Sequence, residues 1–366
     1  MDISFIGTSA VAFIAIFSAI VFIHEMGHFL VARWFGIRVD AFSIGFGPVM
    51  WARKDRHGIE WRLSSIPLGG YVKFFGDATG ASNQSPDLDQ MSDADRRDCF
   101  HFRPLGQRAL VVAAGPLANF LLAFVIFAVV FMTIGQSYTA PVVDGVVAGM
   151  PAEKAGFKPN DRILKVGDAP VRSFEEFTNH IAMNPGRELL ITVQRGDSTV
   201  LIPATPMLKV ERSMKVGKLG IRSERREMIK RGPFDAMWYS ALEVRNSSVM
   251  ILRVVGEMIG GERSVKDLGG PLKIAEISGE VARVSLLGLI TMAAALSVNL
   301  GLINLFPIPM LDGGHLLYYA FEAVRGRPLG ERVQEYGFRA GMALVLLLMV
   351  VVTWNDIISM VSKISS

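Results

Sequence analysis

Four stretches of this chain run without a charged residue: Ile3 to Ile23, Ala109 to Ile134, Val284 to Leu311 and Ala340 to Trp354. The first three exceed the ~20 residues that carry a helix across the hydrocarbon core of a bilayer. The fourth reaches that length if Arg339 snorkels, Trp354 sits at an interface and Ile357 to Val361 extend the helix. Inside a bilayer the backbone has no water to bond, so each stretch is predicted to be a helix with internal hydrogen bonds. Because 20% of residues are nevertheless charged, the apolar weight is concentrated in these runs and a water-exposed part lies between them. The expected fold is an α-helical integral membrane protein with about four spans.

Lysine and arginine near the span ends set orientation. Arg33, Arg38, Arg103 and Arg108 flank the first loop and Arg325, Arg327, Arg332 and Arg339 fill the third, so both loops are expected in the cytoplasm. No Lys or Arg occurs between Arg108 and Lys154, and only Asp2 precedes the first span. Both termini and the long middle segment are therefore expected outside. The first span lacks a basic leader, and it is expected to be kept as an anchor rather than cleaved. The net charge of +4 is spread along the chain, without the basic stripe and interleaved aromatics of a nucleic-acid binder. The single cysteine, Cys99, rules out an internal disulfide and a cysteine-ligated metal site.

At the end of the first run stands His24-Glu25-Met26-Gly27-His28. Helix positions i and i+4 share a face, so the two imidazoles can hold one zinc ion while Glu25 takes a proton from water. Ionisable groups at membrane depth are costly and mark function. Two histidines and a water leave zinc one protein ligand short. Asp312, in Asn304-Leu-Phe-Pro-Ile-Pro-Met-Leu-Asp-Gly-Gly-His315, is the expected third ligand, with His315 as its rival. Pro307 and Pro309 are expected to break the helix there, and the predicted topology brings Asp312 and the histidine pair to one side of the membrane.

Residues 1–139 are thus read as an N-terminal membrane part and 284–366 as a C-terminal one. Within the first, Gly36 to Phe75 reads as a hairpin or small sheet at the membrane, with Gly69, Gly70, Tyr71, Val72 and Lys73 as a strand edge for substrate or as plain scaffold. Asp77 to Asp98 reads as an exposed loop. Residues 140–207 read as an inserted α/β unit: Pro151-Ala-Glu-Lys-Ala-Gly, then Pro159-Asn-Asp-Arg-Ile-Leu, a helix over Phe174 to Ala182, and strands about Leu190 to Gln194 and Thr199 to Ile202. This order resembles a bacterial PDZ domain, which implies capture of extended peptides or C-termini by strand addition, unless the unit is only a spacer. Residues 208–283 read as a basic linker followed by an amphipathic segment from Phe234 to Ile259, lying on the membrane or packed on the core.

With these motifs in order, together with Gly115-Pro-Leu-Ala-Asn119, nearly the whole chain resembles the site-2 proteases, specifically the bacterial regulator-of-sigma-E type. The resemblance implies Zn2+ held by His24, His28 and Asp312, Glu25 as catalytic base, and asparagines acting on substrate, here Asn304 and Asn119. A membrane asparagine can equally join helices, and that alternative stays open for both. Single-span membrane proteins such as anti-sigma factors already cut once, or remnant signal peptides, are the implied substrates. Many members carry two PDZ domains, whereas this chain has room for one. A silent PDZ scaffold and a metal transporter are the competing readings; neither gives Glu25 a task beside the ligand pair.

Overall fold

The computed structural model describes residues 3–77, 90–211, 214–264 and 269–365. The chain divides into two compact units, one of residues 1–129 and 237–366 and one of residues 130–236.

In the first unit, α1 (Ile3–Trp34), α3 (Leu105–Thr133), α8 (Leu286–Asn304) and α10 (Glu331–Ser365) contain the four stretches that, among the described residues, are long and apolar enough to cross a membrane. α8 stops at Asn304, inside the uncharged run to Leu311 and just before the two prolines expected to break it. Pro307 and Pro309 cannot continue a helix, and the chain restarts as α9 (Asp312–Arg325). Small residues let the helices approach closely. A Cβ on Gly27 would strike the Ala114 carbonyl, and one on Gly301 would press on Asn119 and the Pro116 carbonyl. On α9, Cβ atoms at Gly313 and Gly314 would collide with the carbonyls of Leu305, Phe306 and Ile308. The Asp-Gly-Gly sequence is what allows the helix start to fold back against the break.

Between α1 and α3, β1 (Val39–Lys54) and β2 (Glu60–Phe74) form an antiparallel hairpin. Its turn is held by Asp55, whose Oδ1 accepts the amides of His57 and Ile59 at 2.8 and 3.0 Å. Gly45 and Gly47, at φ of +89° and +84°, let β1 bend so that the hairpin folds over itself. Phe42 then pairs with both Val72 and Trp61, and Ile44 with both Gly70 and Leu63. The resulting order across the sheet is 70–74, 39–44, 60–64 and 49–54. Segment 70–74 is an edge, with no strand on its outer side among the described residues. Phe42, fully buried, meets the rings of Phe22, Phe29 and Trp61 and ties the sheet to α1.

Two expectations need correction in this unit. The proposed exposed loop begins with a buried residue: Asp77 Oδ1 lies 2.7 Å from His101 Nε2, and its Oδ2 accepts the Phe74 amide at 3.0 Å. Residues 93–98 form α2 (Asp93–Asp98), while 78–89 lie outside the described residues. The second concerns 208–283: α6 (Pro233–Ile259) covers the expected amphipathic segment, but a further helix, α7 (Pro271–Val284), follows it. α7 is part of the membrane unit: Gly279 meets Ser9 of α1 so closely that a Cβ would collide. Asp356 of α10 accepts the Gly270 and Lys273 amides at 2.9 and 3.1 Å, satisfying donors that the helix start leaves open.

The second unit has a four-stranded antiparallel sheet in the order β6 (Ala169–Pro170), β5 (Arg162–Val166), β7 (Leu189–Arg195), β8 (Ser198–Ala204). Ile163, Ile191, Val193 and Ile202 pack with Phe177 and Ile181 of α5 (Phe174–Ala182) as its core. Earlier in the chain lie β3 (Gln136–Thr139), β4 (Gly145–Val146) and α4 (Pro151–Ala155). The stretch expected as a linker instead supplies β9 (Met207–Glu211), β10 (Met214–Lys218), β11 (Ile221–Arg222) and β12 (Arg226–Ile229). β11 pairs with β4 and β12 with β3, which widens the unit beyond 140–207. These strands are short, basic and half-exposed, so their polarity resembled that of a linker.

Candidate metal centre

His24 and His28 lie one turn apart on α1 with their Nε2 atoms 3.3 Å from each other. Asp312, the first residue of α9, places Oδ2 3.2 Å from His24 Nε2 and Oδ1 3.5 Å from His28 Nε2. Both histidines are buried. Among the described residues these three form the one cluster suited to a metal ion. His315, the rival ligand, lines the same cavity outside the cluster. Burial holds its imidazole below the ordinary value.

The donor set fits zinc. Ligands about 2.0–2.1 Å from a tetrahedral zinc ion stand roughly 3.3 Å apart. The two Nε2 atoms are 3.3 Å apart, and each lies near that distance from one carboxylate oxygen of Asp312, His24 at 3.2 Å from Oδ2 and His28 at 3.5 Å from Oδ1. Asp312 Oδ2 is buried without a hydrogen-bond donor, which is costly unless a cation faces it. Two imidazole nitrogens and one carboxylate are also the ligand types zinc takes in hydrolytic sites.

Residues of α3 shape the back of this site. His28 Nδ1–H donates to the Val111 carbonyl at 2.8 Å, which leaves Nε2 with its lone pair toward the cluster. Pro116 cannot donate to the adjacent Val112 carbonyl, so the helix is already loosened where His28 bonds it. Gly115 provides the clearance, since a Cβ there would run into both imidazoles. The Asn119 carboxamide lies 3.1 Å from His24 Nδ1. Neither the Val111 carbonyl nor the role of Gly115 was read from the sequence. The small-residue pattern Gly115-Pro-Leu-Ala-Asn119 was the available signal.

In front of the cluster is a cavity of about 370 Å³. Glu25, Asn304, Met310 and Tyr319 line it together with Gly69, Gly70, Tyr71 and Val72 from the sheet edge. Gly70 of the edge strand lies against the Glu25 side chain, whose Cγ a Cβ there would meet at 3.2 Å. Lys73 belongs to the same strand but is not part of the lining. Asn304 Nδ2 is 3.4 Å from His24 Nε2. Asn119, in contrast, is fully buried and does not line the cavity. Met310 sits at φ +97°, a strained setting for a residue with a side chain, in the segment that delivers Asp312.

Most of the chain is similar to known proteins. The model of Peptidase family M50 matches residues 12–348. A protein of Agrobacterium fabrum that carries the name zinc metalloprotease is 42% identical over 361 residues, covering 96% of each chain. The Regulator of sigma E protease of Salmonella typhi is 30% identical over 446 residues, covering 94% of this chain and 97% of its own. The solved PDZ domain of an SdrC-like protein from Listeria monocytogenes aligns with 24% of this chain and 90% of its own, at 21% identity and a TM-score of 0.20.

Proposed function

The chain belongs to peptidase family M50 and is a multi-pass membrane zinc metalloprotease, and on that premise we propose that it cleaves single-span membrane proteins within or near their transmembrane segment. The observation that carries this reading is the cavity itself. It holds His24, His28, Asp312 and Glu25 beside the sheet edge, on helices apolar enough to lie in a bilayer. His24, His28 and Asp312 are the zinc ligands in this reading. Zinc bound there supplies a Lewis acid that acidifies water and polarises a carbonyl.

Glu25 is the general base: it takes the proton of the attacking water and returns it to the leaving amine. Gly70 of the sheet edge packs against its side chain. A substrate helix hides its carbonyls in internal bonds and must unwind to be cut. The edge of β2 from Gly69 to Lys73 offers it replacement backbone partners. Asn304, facing the cavity, supplies a donor to the substrate carbonyl as charge develops on oxygen.

The finer assignments follow the same line. The arginine-rich first and third loops face the cytoplasm, and residues 130–236 with both termini face the periplasm of a bacterial inner membrane. Residues 130–236 act as a PDZ-like unit for extended peptides or C-termini. A cavity of about 510 Å³ there, between α5 and the β10–β11 segment, is lined by Phe174, Phe177, Ile181, Gly217 and Leu219. The Salmonella relative is named a regulator of sigma E, and in this reading the substrates are anti-sigma factors after a first cut elsewhere; remnant signal peptides share the same single-span form.

The test is cleavage of a tagged single-span anti-sigma factor by purified protein in detergent, with bound zinc measured alongside. Glu25→Gln is expected to keep zinc and lose activity by about 10²–10⁴-fold, and Asp312→Ala to lose both. Full cleavage by Glu25→Gln would defeat the mechanism.

A further inference from the structure

Asn119 lies where substrate does not reach. It is fully buried, it is absent from the cavity wall, and Gly301 of α8 closes behind its Cβ. Its backbone carbonyl is also held, accepting from Ser297 Oγ at 2.8 Å. Its carboxamide nevertheless contacts one reactive group, His24 Nδ1, at 3.1 Å.

A histidine that gives its Nε2 lone pair to zinc carries its proton on Nδ1, so Nδ1 is a donor and requires an acceptor. His28 has one in the Val111 carbonyl. For His24 the Asn119 side chain is the group at hand. With the amide nitrogen turned to His24, two donors would face each other and Asn119 Oδ1 would stay buried without a partner, as it stands here. Half a turn of the carboxamide brings Oδ1 to the Nδ1–H, and the ends of an amide exchange places at no steric cost.

We propose that Asn119 is a positioning residue whose side-chain oxygen accepts the Nδ1–H of His24, fixing the tautomer and ring angle that present Nε2 to zinc. This rests on the ligand reading above. It also separates the two asparagines: Asn304 acts on substrate from the cavity, and Asn119 acts through a ligand. The bond required of Asn119 is acceptance, whereas an oxyanion contact requires donation.

That difference defines the experiment. Zinc affinity is measured by competition with a chelator for detergent-purified wild type, Asn119→Asp and Asn119→Leu, with peptide cleavage assayed in parallel. Asn119→Asp keeps the acceptor and is expected to bind zinc within about threefold of wild type and to retain cleavage. Asn119→Leu keeps the volume, loses the acceptor, and is expected to bind zinc about 10–100-fold more weakly. Equal zinc affinity in wild type and Asn119→Leu would overturn the proposal. So would an Asn119→Asp protein that binds zinc normally but has lost cleavage, which is the signature of a donor to substrate. If Asn119→Leu does not fold, the Asp variant alone decides between acceptor and donor. Wild type that binds no zinc would instead overturn the ligand reading on which the proposal stands.

Discussion

At the scale of single residues, clearance matters as much as chemistry. Gly115 has no reactive group, yet any side chain there would occupy the space of both imidazoles. Gly115→Ala is expected to lose bound zinc and activity together, read by elemental analysis and cleavage. Gly106→Ala, near the start of the same helix and with nothing within 4 Å of a new Cβ, is expected to change neither. The histidine pair of the cluster was legible in the sequence because helical periodicity alone puts residues i and i+4 together. Asp312 was legible because a carboxylate beside two prolines at membrane depth needs a cation. The supports were not: His28 meets Val111 and His24 meets Asn119 only because α1 and α3 cross at Gly27 and Gly115. No local pattern specifies which residues meet at such a crossing.

At the scale of elements, two polar pairings join parts of the chain that the sequence kept apart. Asp356 closes the start of α7 from another helix, and Asp356→Ala is expected to destabilise the membrane unit by roughly 1–3 kcal/mol, measured by unfolding in detergent. In the other unit, Glu227 on β12 accepts both ends of the Arg162 guanidinium at 2.9 and 2.8 Å and the Tyr138 hydroxyl at 2.8 Å. Arg162 first, and Tyr138 after it, hold this carboxyl down at about 2, against an ordinary 4.5. A carboxyl whose value is lowered by folding stabilises the fold above its unfolded value, and that contribution is lost as pH falls. The β3–β12 end of the unit is therefore expected to weaken between about pH 4.5 and 2. The melting temperature of Glu227→Gln should depend less on pH across that interval than that of wild type. The polarity that builds this triad is also what made 208–231 read as a linker. Spans declare themselves by an unbroken apolar run, while a strand of two to five residues with half its side chains in water has no comparable signal.

At the scale of the whole molecule, the metal centre belongs to one unit only. Removing zinc with a chelator is expected to abolish cleavage and to speed hydrogen exchange in α1, α3 and α9, because a ligand stabilises the state that binds it. Exchange in residues 130–236 should stay unchanged, and restored zinc should reverse the effect. The division into spans and an inserted unit was readable from charge distribution. The folding of the hairpin over itself was not, since it depends on where Gly45 and Gly47 permit a bend and on Phe42 finding Trp61.

The centre is also assembled from the two ends of the chain. His24 and His28 come from the first span, while Asp312 follows the third and is made after the whole of residues 130–236. On a ribosome the nascent chain therefore carries His24, Glu25 and His28 for most of its synthesis without Asp312. Proteolytic competence arrives only with the closing stretch of translation. A product truncated before Asp312 would be inserted in the membrane yet unable to cut its neighbours.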